Sequence, residues 1–264
     1  MLKLEEVFHN PVRDLLKEGK PVCAGWLQMC SVVSAEIMAK AGFDVLMVDM
    51  EHAPGDFFLL LQQLQALKGY GAVPFVRAPW NDMVSIKRIL DTGVYGVLVP
   101  YVNTKEEAEN AVSYTKYPPR GVRGVAPSPR APGFGQNSAN YLDHANREIV
   151  VMTAVETLEA VENLDEILQI PDLDGIFIGP MDLATSMGHF CDPSAPDVQE
   201  AIQRVEQKVI GSGKFLGTVA KNVAAAQPLY DRGYQLVVTL SDSGGLAALA
   251  RQTVTDFHKL YPER

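Results

Sequence analysis

Six side chains able to do chemistry stand where apolar runs of this sequence come to an end. Asp49, Glu51 and His52 close "DVLMVDMEH", Arg77 closes "VPFVR", and Glu156 closes "IVVMTAVE". Asp182 follows the turn Gly179–Pro180–Met181 after "DGIFIG". Each has an ordinary reading alone. A carboxylate can cap the next helix, an arginine can form a rim ion pair, and a histidine can be structural. Together at one end of a set of apolar strands, the carboxylates are costly unless something neutralises them. A divalent cation does that, and carboxylate and water ligands suit Mg²⁺ or Mn²⁺ rather than a thiolate-seeking metal. No HExxH, CxxC pair, Walker loop or GxGxxG competes.

Alternating short and long patterns would gather these residues. Strands are expected near 22–27, 44–49, 73–77, 96–100, 149–156, 174–179, 214–219 and 235–240, nearly continuous in apolar residues as strands buried on both faces are. Between them, "SAEIMAKAG", "DFFLLLQQLQALKGYG" and "MVSIKRILDTG" carry helical patterns that stop at glycine. "TKEEAENAVSYTK" opens with a threonine able to cap and two acids suited to a helix start. Eight such units predict a (β/α)8 TIM barrel, for which 264 residues is an ordinary length. A doubly wound sheet is the alternative, but no composition break divides residues 1–264, so a single barrel domain is expected. In a parallel barrel, chemistry sits at the carboxyl ends of the strands. The other strands also deliver Trp26, Gln28, Ser241 and Asp242 there. The stretch 118–140, "PPRGVRGVAPSPRAPGFGQNSAN", has neither period, and a loop this long in a compact fold is either functional or disordered.

The formal net charge of −9 argues against nucleic acid or anionic membrane as partners, and no apolar run has the length of a membrane span. The first 20 residues carry two early glutamates and no apolar core, unlike a signal peptide. Three cysteines, Cys23, Cys30 and Cys191, form neither a disulfide framework nor a metal knuckle and fit a reducing cytoplasm.

"FDVLMVDMEHAPGD", "VRAPWND", "PPRGVRGV", "VETLEAVENLDEI" and "DGIFIGPMDLATSMGH" together resemble the HpcH/HpaI family of metal-dependent (class II) 2-oxo-acid aldolases, from about residue 10 to about 255. The resemblance implies a modified TIM barrel that exchanges its last helix between subunits of a hexamer, a trimer of dimers. It also implies cleavage of a 4-hydroxy-2-oxo acid to pyruvate and an aldehyde. On the matching positions, Glu156 and Asp182 resemble the ligands of a divalent cation, Mg²⁺ or Mn²⁺ first, with Co²⁺ or Zn²⁺ also in use. His52, held by Asp49, resembles the base, and Arg77 the group facing the pyruvyl oxygen. The turn of Gly179, Pro180, Met181 and Asp182 resembles a cradle for the substrate carboxylate. Trp26 and Arg123 resemble pocket-wall positions, and Asp91 a residue that reaches a neighbour's site.

Three departures stand out: Ala154 where the family usually has glutamine, Met50 where glycine is common, and "RGVA" followed by "PSPRAPGFG". They place the expected difference in specificity on the aldehyde side, at Ala154 and the loop 118–135. A Schiff-base aldolase needs a lysine inside the barrel. Lys214 begins its strand at the wrong end, which leaves only Lys221. Related citrate-forming barrels, and lyases of CoA esters similar to citrate lyase β-subunits, are the alternatives. For the latter, Arg120, Arg123 and Arg130 are the candidate phosphate contacts. A binding barrel that has lost catalysis is a third alternative, opposed by the intact set of His52, Arg77, Glu156 and Asp182.

Overall fold

The computed structural model describes residues 7–136 and 138–264. The two early glutamates of the N-terminal stretch lie outside the described residues. Eight parallel strands close into a barrel in chain order: β1 (Val22–Leu27), β2 (Val45–Asp49), β3 (Val73–Arg77), β4 (Gly96–Val99), β5 (Val150–Val155), β6 (Gly175–Ile178), β7 (Phe215–Val219) and β8 (Leu236–Ser241), with β1 paired to β8. The architecture is the (β/α)8 TIM-like barrel expected from the sequence.

Alternate side chains point inward. Val45, Met47, Phe75, Leu98, Met152, Ala154 and Phe177 fill the barrel with Trp26 above them. The other face of each strand packs on the helices in a second, larger core. Packing inside the barrel is tight enough to dictate a residue type. A Cβ on Gly96 would lie 2.5 Å from the Phe75 ring, so β4 has no room for a side chain there.

The helices start where the sequence signals them. Asp56 caps α3 (Phe57–Ala66), Asp82 caps α4 (Met83–Asp91), and Thr104 and Glu107 form a capping box on α5 (Lys105–Thr115). Twelve helices, rather than eight, are found among the described residues. The additions include α1 (Pro11–Lys17), before the barrel, and α6 (Ser138–Glu148), which takes over the end of the stretch expected to be irregular. No helix among the described residues is long and apolar enough to cross a membrane.

The last helix, α12 (Asp242–Leu260), departs from a closed barrel coat. Its only buried residue is Asp242. Leu246, Leu249, Phe257 and Leu260, spaced along one face, are all exposed.

Candidate active site

The barrel strands converge on one rim. Asp49 ends β2 with its side chain fully buried, and Arg77 ends β3 in register with it. The two form a fork: Arg77 Nε donates to Asp49 Oδ1 at 3.0 Å and Nη2 to Oδ2 at 2.7 Å. The face of the guanidinium lies 4.5 Å from the centre of the Trp26 ring. Gln28 Nε2 donates to Asp49 Oδ2 at 2.9 Å, and the backbone N–H groups of Glu51 and His52 donate to Oδ1. Burial pushes the Asp49 carboxyl up, but the bonds and charge of Arg77, with help from Gln28 and His52 N–H, hold it below the usual carboxylate range.

That saturation corrects one expectation. Asp49 was expected to hold the His52 ring, yet it meets only the backbone of His52. The ring is exposed, and the carboxylate nearest it is Glu51, 3.6 Å from Nε2.

Glu156 follows β5 and is 5% exposed. Its Oε2 accepts the N–H of Tyr101 at 3.0 Å. Tyr101 adopts φ 57°, a left-handed backbone uncommon for its residue type, and this loop shape supplies the N–H to Glu156. Burial drives the Glu156 carboxyl up to about 7; the Tyr101 N–H opposes this, while the charges of Glu51 and Asp182 add to it. A buried carboxylate beside two others is an environment that a cation relieves.

Raising the pKa of a carboxyl in the folded state gives stability that is present at low pH and lost as pH rises toward about 7. Chelator-treated protein should therefore lose on the order of 3 kcal/mol at this residue between pH 4.5 and 7. In urea titrations at both pH values, Glu156→Gln should flatten that dependence. An unchanged pH slope would show that Glu156 is not the strained group.

Asp182 lies in the first turn of α9 (Pro180–Ser186), with Gly179 as N-cap. The expected cradle is smaller than its four residues. Gly179 N–H is taken by Val155 O and Pro180 has none, which leaves the N–H groups of Met181 and Asp182. Gly179 has a different importance. A Cβ there would stand 2.7 Å from Glu156 Cγ and 2.9 Å from Oε1, although its backbone, at φ −96°, suits any residue. Gly179→Ala should fold normally, yet push the Glu156 carboxylate off its Tyr101 bond; with Glu156 as the cation ligand that the family resemblance implies, Mn²⁺ binding should weaken by about 10²-fold, as outer-sphere lesions at metal sites do. Calorimetric titration with Mn²⁺ reads this directly, and a wild-type affinity would count against the Glu156 site.

Not every expected site residue reaches the rim. Asp91 ends α4, which carries the chain back from the rim to the start of β4. Its partner there is Arg123, whose Nη2 donates to Asp91 Oδ1 at 2.9 Å and to the Tyr141 hydroxyl at 3.1 Å. Arg123 is fully buried, stacks on Tyr117, and does not line its own chain's rim. The loop 118–135 sits at the same far end. Arg130 Nη1 donates to Thr92 O, and Ala131 N–H to Asp91 O. The placement of this loop beside the aldehyde is thereby corrected for the single chain. The three arginines considered for CoA are likewise occupied away from the rim, Arg120 by Asp172 before β6. Lys214 is bonded to the carbonyls of Ile170 and Leu173. The three cysteines are free.

Sequence reading gave no role to Gln28, Glu51 or Tyr101. The first two were visible as polar residues at strand ends. Nothing in the sequence signals a left-handed tyrosine.

Rigid strand ends that hold an acid pair, an imidazole and a braced guanidinium around one opening define a (β/α)8 enzyme. The chain belongs to the HpcH/HpaI aldolase/citrate lyase family, which it matches over residues 24–248, and is a carbon–carbon lyase. It is 40% identical to the 5-keto-4-deoxy-D-glucarate aldolase of Escherichia coli O139:H28 (strain E24377A / ETEC), over 96% of this chain and 99% of that protein. Among solved structures, it is similar to an HpcH/HpaI aldolase/citrate lyase family protein from Burkholderia cenocepacia J2315 (35% identity, TM-score 0.90, 94% of this chain and 99% of that one). It is also similar to the HpcH/HpaI aldolase from Desulfitobacterium hafniense DCB-2 (30%, TM-score 0.87, 93% and 96%).

Proposed function

We propose that the protein cleaves a 4-hydroxy-2-oxo acid to pyruvate and an aldehyde, reversibly, with a divalent cation held by Glu156 and Asp182. The observation that carries this reading is the buried Glu156 carboxylate, pushed up to about 7 by burial and by the charges of Glu51 and Asp182. No group of three or more His, Cys, Asp or Glu side chains among the described residues forms a metal cage. Two carboxylates with positions left for water and substrate suit Mg²⁺ or Mn²⁺. When bound, the cation polarises the keto group and acidifies the neighbouring C–H bonds.

The chain's own residues do the rest. Arg77, fixed by Asp49 and Trp26, presents its remaining N–H groups to the oxygen that becomes the enolate oxyanion. His52 takes the proton from the C4 hydroxyl in cleavage, and moves the proton of the pyruvate methyl in exchange. The N–H groups of Met181 and Asp182 face the substrate carboxylate. Ala154, buried below Glu156 inside the barrel, removes an amide from the floor of the pocket. The relatives named for 5-keto-4-deoxy-D-glucarate make sugar-derived oxo acids the first substrates to test.

The working form is a homo-oligomer, a hexamer built as a trimer of dimers. The bare apolar stripe of α12 favours exchange of that helix. Beside its start runs a groove lined by Val33, Ile37, Met38 and Leu246, which a second copy's helix would cover.

The deciding experiment incubates the protein with 4-hydroxy-2-oxo acids and follows pyruvate with lactate dehydrogenase. Release that EDTA abolishes and Mg²⁺ or Mn²⁺ restores is the expected result. Full activity in excess EDTA, or activity only on CoA esters, would overturn it.

A further inference from the structure

The five hydrogen bonds on Asp49 leave the His52 ring without the partner expected for it. Among the described residues, that ring has one ion-pair partner, Glu51. Glu51 Oε2 lies 3.6 Å from His52 Nε2 and 3.1 Å from Arg77 Nη1. This oxygen is buried and accepts no aligned hydrogen bond, so charge attraction alone holds it there. The Glu51 side chain is 16% exposed and that of His52 61%. One end of the bridge is thus anchored in the wall and the other carries the exposed imidazole. Asp49, Asp182 and Glu156 add negative charge nearby and Arg77 opposes it.

We propose that Glu51 is a positioning residue. Its carboxylate ties the guanidinium of Arg77 to the imidazole of His52, and so sets the base against the oxyanion-facing arginine. The inference deepens the aldolase reading and rests on it. An exposed ring on a loop samples several rotamers, and only one places its nitrogen at the reacting C–H or O–H. Orientation losses of this kind cost about 10²-fold for a displacement near 1 Å. Glu51 needs its charge for this role, because it must face Arg77 and a protonated His52 together. A residue that merely fills the wall needs only its shape.

Two variants separate these roles. Glu51→Gln keeps the shape and loses the charge, while Glu51→Asp keeps the charge and shortens the reach. The readout is deuterium exchange at the pyruvate methyl, followed by proton NMR at saturating Mg²⁺, with folding checked by circular dichroism. We expect kcat for exchange to fall about 30- to 100-fold in Glu51→Gln, with KM for pyruvate within threefold and Glu51→Asp the faster variant. Exchange by Glu51→Gln within threefold of wild type, or Glu51→Gln outpacing Glu51→Asp, overturns the proposal. So does a kcat loss in Asp91→Asn that Glu51→Gln does not share, which would give the tether to a carboxylate from a second copy. No exchange by the wild type overturns the aldolase reading and this inference with it. Wild-type exchange matched by Glu51→Gln overturns this inference alone.

Discussion

Replacing Arg77 by leucine should cost both rate and stability. The rate loss follows from the proposed role of Arg77 as the fixed donor at the developing oxyanion, where removing one such group costs about 10²–10³ in kcat. Arg77→Lys should fail as well, since an ammonium cannot span both oxygens of Asp49 and still reach Glu51. The stability loss has a separate origin. Asp49 has no exposed side-chain surface, and Arg77 supplies its only cationic partner among the described residues. Stranding that charge should cost about 3–5 kcal/mol.

The sign with pH follows from the depressed Asp49 carboxyl. Such a group gives stability that is fully present above its unfolded pKa, about 3.9, and lost as pH falls through the lower folded value. Wild-type protein should therefore keep the Asp49 contribution at pH 5 and lose it only in stronger acid. In Arg77→Leu, burial acts against ionisation with less opposition, and that contribution should shrink at pH 5 and above, where the wild type has it in full. Urea unfolding of Arg77→Leu, Asp49→Asn and the double variant tests this. The double variant should recover much of the loss while remaining inactive, because it removes the stranded charge but not the need for the guanidinium. An Arg77→Leu protein as stable as wild type would mean that the fork is not a stability element.

The barrel was legible because strands buried on both faces leave an apolar run that stops where the chain reaches the rim. All eight runs became strands, and Asp49, Arg77 and Glu156 lie at or just beyond the ends of theirs. What adjacency could not show was which carboxylate oxygens were already committed. "DMEH" puts two acids near His52, but the choice between them is made by Arg77 and Gln28, distant in sequence, which saturate Asp49. The loop 118–135 was misplaced for a reason the sequence does contain. The helical stretch 104–116 precedes it, and a helix after a barrel strand returns the chain to the opposite end. Residues following that helix therefore start at the far end, where Arg130 meets Thr92. The bare stripe on α12 is readable as a 3–4 spacing, but what covers it is not a property of one chain.

His52→Ala should lower kcat for pyruvate methyl exchange by about 10²–10⁴, the range of a positioned general base, and leave stability nearly unchanged. The two halves of that expectation have different grounds. The ring is mostly exposed, and among the described residues its one ion-pair partner is Glu51. Truncating it therefore empties no core and leaves Glu51 Oε2 its closer cation, Arg77 Nη1 at 3.1 Å, and surface changes of this kind stay within about 0.5 kcal/mol. The proposed cation ligands, Glu156 and Asp182, are untouched, so Mn²⁺ titration should give the wild-type affinity. Pyruvate KM should also hold, because Arg77 and the α9 turn remain. The loss then falls on proton transfer alone, and a small base should restore part of it. Imidazole added to His52→Ala can enter from solvent through the space the side chain left, next to Glu51, and should raise the exchange rate in proportion to its unprotonated form. The same addition to Arg77→Leu should do nothing, because the missing element there is a fixed charge and not a base. If His52→Ala exchanges at the wild-type rate, the base is another group on this rim. If it loses Mn²⁺ instead, His52 belongs to the cation site.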